Sequence, residues 1–186
     1  MVVNKDIKNI EWVDFKYEWI WEKDNGSNFV NVKHQPFKVH EQVLVFGKAP
    51  TTYNKKGRYM IYNPQMTNGK SYKMKRKGMT RNLAASNEYK RINGEYGDVR
   101  YPRSVLNFNI EKGLHPTQKP TSLFDYLINT YTNKNDIVVD CCCGSGTTAI
   151  SCLNTGRQYI VNDNEYKYFQ TTKERINTHK KLLTSI

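Results

Sequence analysis

The sequence predicts an α/β fold of the Rossmann-like kind, and three observations in its last third carry that prediction. A short apolar run at 137–139 ends in Asp140, a turn holding Gly144 and Gly146 follows, and a second apolar run at 158–162 ends in Asp163. Strand, glycine turn, helix and strand in that order describe a unit whose strand ends open onto a ligand, with backbone amides bared at the helix mouth.

Composition bounds the rest. A chain of 186 residues suffices for one core of ordinary size, and its net charge of +12 favours a polyanionic partner over a small neutral substrate. Nucleic acid is the first candidate. An anionic membrane is the second, but no apolar stretch is long enough to span one, and residues 1–11 hold no signal-peptide core. Three of the four cysteines are consecutive and the fourth is Cys152, which suits a reducing compartment and a cytoplasmic location. Three adjacent cysteines alternate in direction and cannot all face one ion, so no metal is expected.

From the N-terminus, Tyr17, Trp19 and Trp21 alternate with Lys16, Glu18 and Glu22, which predicts a strand. Asp24-Asn25-Gly26-Ser27 supplies turn chemistry, and the continuously apolar run at 41–47 predicts a second strand, buried on both faces. Residues 48–112 then carry fifteen Lys or Arg against four acids, with seven tyrosines and no sustained period. Their peak is Lys70-Ser71-Tyr72-Lys73-Met74-Lys75-Arg76-Lys77, with Arg81 beyond it. Lys73, Lys75, Arg76, Lys77 and Arg81 are the candidate DNA-binding residues, because cations neutralise phosphates and interleaved tyrosines stack on bases. A solvated basic loop is the bland reading of the same segment.

Order returns at Leu114. Pro120 suits a helix start, and Leu123, Phe124, Leu127, Ile128 and Tyr131 form one apolar stripe, which places His115 and Lys119 at the helix mouth. The β-branched run at 137–139 predicts a central strand. After it Thr147 and Thr148 are placed to cap a helix over 147–154 that stops at Gly156. Tyr166, Phe169, Thr172, Ile176 and Leu183 predict a closing amphipathic helix.

Gly144-Ser145-Gly146-Thr147-Thr148-Ala149 also satisfies G-x-G-x-x-A, which keeps a dinucleotide-dependent oxidoreductase among the readings. Asp140 favours another ligand, since a carboxylate there repels a pyrophosphate but attracts an ammonium. S-adenosylmethionine carries that ammonium, and a ribose for Asp163.

The order His115-Pro-Thr-Gln-Lys-Pro120, Asp140-x-x-x-Gly-Ser-Gly-Thr-Thr148, Gly156-Arg157-x-Tyr-Ile160, Asp163 and Glu174-Arg175-Ile176 resembles the C-terminal half of the amino-group DNA methyltransferases, in their circularly permuted branch. Upstream, Trp21-x-Lys23, Pro36 and His40-Glu41-x-x-Leu-Val-Phe46 are similar to the segment that follows the family's catalytic motif. The resemblance implies an S-adenosylmethionine-dependent methyltransferase fold over 1–186, with a target-recognition-like basic insertion at 48–112 and a cofactor-binding half at 114–186. It implies that Asp140, Gly144, Gly146, Thr147 and Asp163 line the cofactor pocket, joined by His115 and Lys119; Cys142 and Ser145 of the same turn are expected beside the cofactor as well. It also implies double-stranded DNA as partner and adenine N6, ahead of cytosine N4, as target, in a restriction–modification, phage or orphan setting.

Two positions depart from the family pattern. Cys141 and Cys142 stand where Pro-Phe is usual, and Asp163 where Glu is usual. The family's catalytic tetrapeptide, an Asp, Asn or Ser followed by Pro-Pro and an aromatic, is absent, since no Pro-Pro occurs in the chain. The fold is therefore expected to be incomplete at its N-terminal side, with a gap beside the Val138 strand, and the catalytic residues are expected on a separate N-terminal fragment or lost.

Overall fold

The computed structural model describes residues 13–52, 57, 59–73 and 95–184. Two compact units divide the chain, one from Met1–Asn63 with Arg103–Ile186, the other Pro64–Pro102.

In the first unit the alternating aromatics form a long strand, β1 (Asp14–Ser27), which pairs antiparallel with β2 (Lys38–Gly47) and parallel with a three-residue strand, Val105–Asn107. The order places β1 in the middle, so its inward residues Trp19 and Trp21 are the buried ones, joined by Val45, Leu106 and Leu123. Both indoles keep a hydrogen bond: Trp19 Nε1 donates to Tyr131 Oη (2.5 Å) and Trp21 Nε1 to the Phe108 carbonyl (2.7 Å).

Two expectations fail here. The stretch Asp24-Asn25-Gly26-Ser27 does not turn the chain; it extends β1 as far as a Ser27–Lys38 pair. Asp24 spends its carboxylate on the Ile110 amide (2.8 Å), and the reversal falls further on, where Asn28 adopts φ 68 before a single 3₁₀ turn, Phe29–Asn31. Nor is β2 buried on both faces. It is an edge strand, and within it only Val45 is buried.

The second unit is built from two-residue strands: β3 (Thr67–Asn68), β4 (Tyr72–Lys73), β5 (Glu95–Tyr96) and β6 (Val99–Arg100), paired antiparallel as β3 with β6 and β4 with β5. The Arg100 guanidinium lies 4.6 Å from the Tyr72 ring centroid and donates to the Lys70 and Gly97 carbonyls. With these named, the strand at Val105–Asn107 is β7.

The remainder of the first unit is α1 (Thr121–Tyr131), β8 (Ile137–Asp140), α2 (Thr147–Thr155), β9 (Gln158–Val161) and α3 (Tyr166–Thr184). Pro120 precedes α1 in extended conformation, which its fixed φ permits, and Leu123 and Ile128 bury the helix stripe. Gly156 ends α2 at φ 72, a left-handed cap. Strands β8 and β9 are parallel and in register from Ile137–Gln158 to Asp140–Val161. Among the described residues β8 pairs with β9 alone, so the strand expected to be central has one edge without a described partner. Ile137, Val139 and Ile160, which share a face, are exposed. Along α3 only Thr172 is buried, and Tyr166, Phe169 and Leu183 stand exposed.

Candidate functional site

The site is built where β8 ends. Asp140 is the last residue of the strand, and its carboxylate folds over the start of the turn: Oδ1 accepts the Cys142 amide (3.0 Å) and Oδ2 the Thr148 hydroxyl (2.5 Å). Asp163, just past the tip of β9, accepts the Gly144 amide at Oδ2 (2.8 Å) and the Glu165 amide at Oδ1 (3.1 Å). The two acids thus grip one glycine turn from both sides.

Within the turn, Gly144 sits at φ 54 and Gly146 at φ 80, angles that favour glycine. A Cβ on Gly146 would stand 2.7 Å from Thr172 Cγ2, so α3 packs directly against the backbone there. Gly146 precedes α2 without any side-chain cap. Neither threonine caps the helix as expected: Thr148 serves Asp140, and Thr147 donates to the Lys119 carbonyl (3.1 Å). Both bonds fix the turn to its surroundings, which a cap would not do.

The cysteines divide at the end of the strand. Cys141 and Cys142 are both exposed, with Sγ atoms 4.0 Å apart, whereas Cys143 is buried, 3.7 Å from Thr172 Oγ1. Strict alternation stops at Asp140 because the strand does, so one cysteine of the three is a packing residue. Burial pushes the Cys143 thiol up and keeps it protonated.

The segment before α1 closes over this turn. The His115 ring lies against Gly144, 3.5 Å from the position a Cβ would take, and meets the Tyr168 ring edge-on with centroids 4.2 Å apart. His115 Nδ1 accepts the Thr117 amide (3.1 Å). Lys119 Nζ pairs with Glu41 Oε2 (2.7 Å), while Lys23 pairs with Glu41 Oε1 (3.3 Å); each ammonium lies under 6 Å from the Trp21 ring centroid. Burial acts to raise the Glu41 carboxyl, but the two lysines outweigh it and hold the group below its usual value.

Beneath the turn lies a polar knot. Arg175 of α3 donates to the Ser145 carbonyl (3.1 Å), Thr147 Oγ1 (3.2 Å) and Thr121 Oγ1 (3.2 Å), and lies 3.8 Å from Glu111. Glu111 in turn accepts the Thr121 amide (2.7 Å) and hydroxyl (3.1 Å), and Ser151 donates to the Thr121 carbonyl (3.1 Å). Burial pulls the Arg175 guanidinium down and Glu111 opposes it.

The structure therefore gathers Asp140, Gly144, Gly146, Asp163, His115 and Lys119 around one turn, and puts the Cys142 side chain at its exposed rim. Ser145 and Thr147 are buried, facing the knot below it. Glu111, Thr121, Tyr168 and Arg175 are supporting residues that spacing alone did not single out. Lys75, Arg76, Lys77 and Arg81 lie outside the described residues; the Lys73 backbone belongs to β4.

The turn's amides decide the ligand chemistry. Those of Cys142, Cys143, Gly144 and Gly146 are occupied, by Asp140, the Asn162 carbonyl, Asp163 and the Cys143 carbonyl. The expectation of amides bared for a ligand therefore fails at these four positions, while the first turn of α2 keeps no side-chain cap. Two carboxylates stand where a pyrophosphate would need donors, and each retains lone pairs for an ammonium or hydroxyl group. Among the described residues no group of three or more His, Cys, Asp or Glu is placed to hold a metal ion, and no helix is long and apolar enough to cross a membrane.

Comparisons with known proteins bear on the family and the fold. The family model described as DNA methylase, N6_N4_Mtase, matches residues 3–174. The type II methyltransferase M2.MboI of Moraxella bovis is 26% identical over 180 residues, covering 87% of this chain and 64% of its own length. The crystal structure of the M1.HpyAVI–SAM complex superposes with a TM-score of 0.57 at 26% identity, over 89% of this chain and 64% of that one. PvuII DNA methyltransferase, cytosine-N4-specific, shares the fold at 16% identity with a TM-score of 0.53, over 89% of this chain and 56% of that one. The chain spans 33–64% of the length of the first curated relatives it matches.

Proposed function

Since the chain belongs to the N6/N4 DNA methylase family, we propose that it supplies the S-adenosylmethionine site and DNA contacts of an enzyme methylating an exocyclic amine in DNA, adenine N6 by preference. The observation carrying this reading is the pair of carboxylates, Asp140 and Asp163, gripping one glycine turn. Such a site suits a cationic nucleoside ligand and disfavours a dinucleotide. Bound there, S-adenosylmethionine supplies an electrophilic methyl group. Asp163 orients the ribose hydroxyls, Asp140 holds the cationic end, and His115 with Lys119 closes the mouth, alongside Cys142, Ser145 and Thr147 at the turn. Lys73, Lys75, Arg76, Lys77 and Arg81 contribute phosphate contacts. The family model spans both amine targets, so cytosine N4 is the second reading of the same chemistry.

Steering the target amine falls to the Pro-Pro-aromatic tetrapeptide, which this sequence lacks. We assign that role to a segment outside it, such as a separate N-terminal fragment. A non-catalytic DNA-binding remnant is the competing reading that the missing tetrapeptide favours.

Isothermal titration with S-adenosylmethionine tests the pocket. Binding that is lost in Asp163→Ala supports it, and an absence of heat with the unmodified chain sinks it. Salt-dependent DNA binding without cofactor binding favours the remnant. Transfer of labelled methyl groups to DNA, with and without an added N-terminal fragment, separates a split enzyme from an inactive one.

A further inference from the structure

The β1–β2 hairpin ends in a feature that the cofactor site does not use. Its tip presents five large apolar side chains to solvent: Phe29, Val30, Val32, Phe37 and Val39, with Phe29 77% and Val30 88% exposed. Scattered exposed apolar residues are ordinary, but five within eleven positions form a patch. The tip is also built rather than loose. Asn28 holds the left-handed angle, the Asn31 amide returns to the Asn28 carbonyl (2.9 Å), those of His34 and Gln35 return to the Asn31 carbonyl (2.9 and 3.0 Å), and Phe37 meets Phe29 edge-on at 6.4 Å. A side chain held on such a frame loses little further freedom on binding.

Charge indicates what the patch meets. Residues 25–40 contain no carboxylate, and they carry Lys33, Lys38, His34 and His40. An apolar tip rimmed by cations suits a surface with apolar faces between phosphates, and stacked bases are that surface. The position agrees. Glu41 of β2 pairs with Lys119 beside the cofactor turn, and from the Trp21–Glu41 pair to the Ser27–Lys38 pair is three residues of β2, about 10 Å, the rise of about three base steps, with the tip beyond it.

We infer that the tip is a wedge that inserts Phe29 and Val30 between bases of the duplex while Lys33 and Lys38 hold the flanking phosphates. This rests on DNA being the substrate. A duplex with one nucleotide's base removed offers a ready gap, so a wedge prefers it to the intact duplex.

The chain is titrated by fluorescence anisotropy into a short labelled duplex and into the same duplex carrying one abasic position. The unmodified chain is expected to prefer the abasic duplex by about tenfold. Phe29→Ser/Val30→Ser is expected to abolish the preference, and Val30→Ser to reduce it; the single change lies at a nearly fully exposed side chain and leaves the fold intact by circular dichroism. Binding of both duplexes equally by all three proteins overturns the wedge and leaves the DNA reading standing. Failure of the unmodified chain to bind either duplex overturns the DNA reading, and the wedge with it. A double variant that changes the sedimentation of the chain but not its DNA binding makes the tip a contact between copies and also overturns the wedge.

Discussion

Gly146 carries two constraints at once, a φ of 80 and a Cβ position 2.7 Å from Thr172. Gly146→Ala should therefore destabilise the chain by about 2–4 kcal/mol, read as a lower urea midpoint, whereas an alanine at a glycine of ordinary angle and free space would not. Arg175 behaves differently, because its loss breaks bonds rather than adding atoms. Arg175→Ala should cost about 2–3 kcal/mol, leaving Glu111 and the Ser145 carbonyl short of a donor, and Arg175→Lys should not restore it, for want of the planar fork. Glu41 gives a pH signature. Its carboxyl is held below the usual value of 4.5 in the folded chain, so its stabilisation is present above that value and is lost as pH falls through the lower, folded value. Glu41→Gln should lower the melting temperature at neutral pH, with the gap to the unmodified chain closing in acid.

Among the elements, one phenol adds hydrogen bonds to the apolar join between β1 and α1. Tyr131 Oη accepts from Trp19 and donates to Tyr17 (3.0 Å), and burial pushes the phenol well above its ordinary range. Tyr131→Phe should cost about 1–3 kcal/mol in urea unfolding, since the indole N–H is left buried without a partner. Elements with strong local pattern were legible in the sequence: the alternating β1, the stripe of α1, and the strand, turn, helix and strand at 137–161. Three-residue β7 was not, because so short a run has no period, and it forms only by pairing with Ile20, Trp21 and Glu22 of β1. The burial of β2 was misread for a related reason. An apolar run does not tell an edge from a centre, and the neighbour that decides it lies elsewhere in the chain. At the site, the acids and glycines were legible because their chemistry is local. Glu111 and Arg175 meet across 64 positions, and no spacing rule reaches that far.

At the scale of the molecule, charge and an open edge set the behaviour. With its cations concentrated in 48–112, the chain should bind duplex DNA with steep salt dependence, weakening about 10³-fold between about 50 and 200 mM salt if six or more phosphates are neutralised. Anisotropy titrations across that range measure the slope. The exposed Ile137, Val139 and Ile160, beside the edge of β8 that lacks a described partner, should make the isolated chain self-associate. Val139→Lys should shift sedimentation toward monomer.

Glu41 holds two lysines that belong to different parts of the first unit, Lys23 in the hairpin and Lys119 in the segment closing over the turn. Each lysine has its own carboxylate oxygen, so the two pairs coexist and Glu41 ties the hairpin to that segment. An occupant of the turn that drew Lys119 off Glu41 would loosen that tie, and by thermodynamic reciprocity whatever strengthened the tie would weaken that occupant by the same factor.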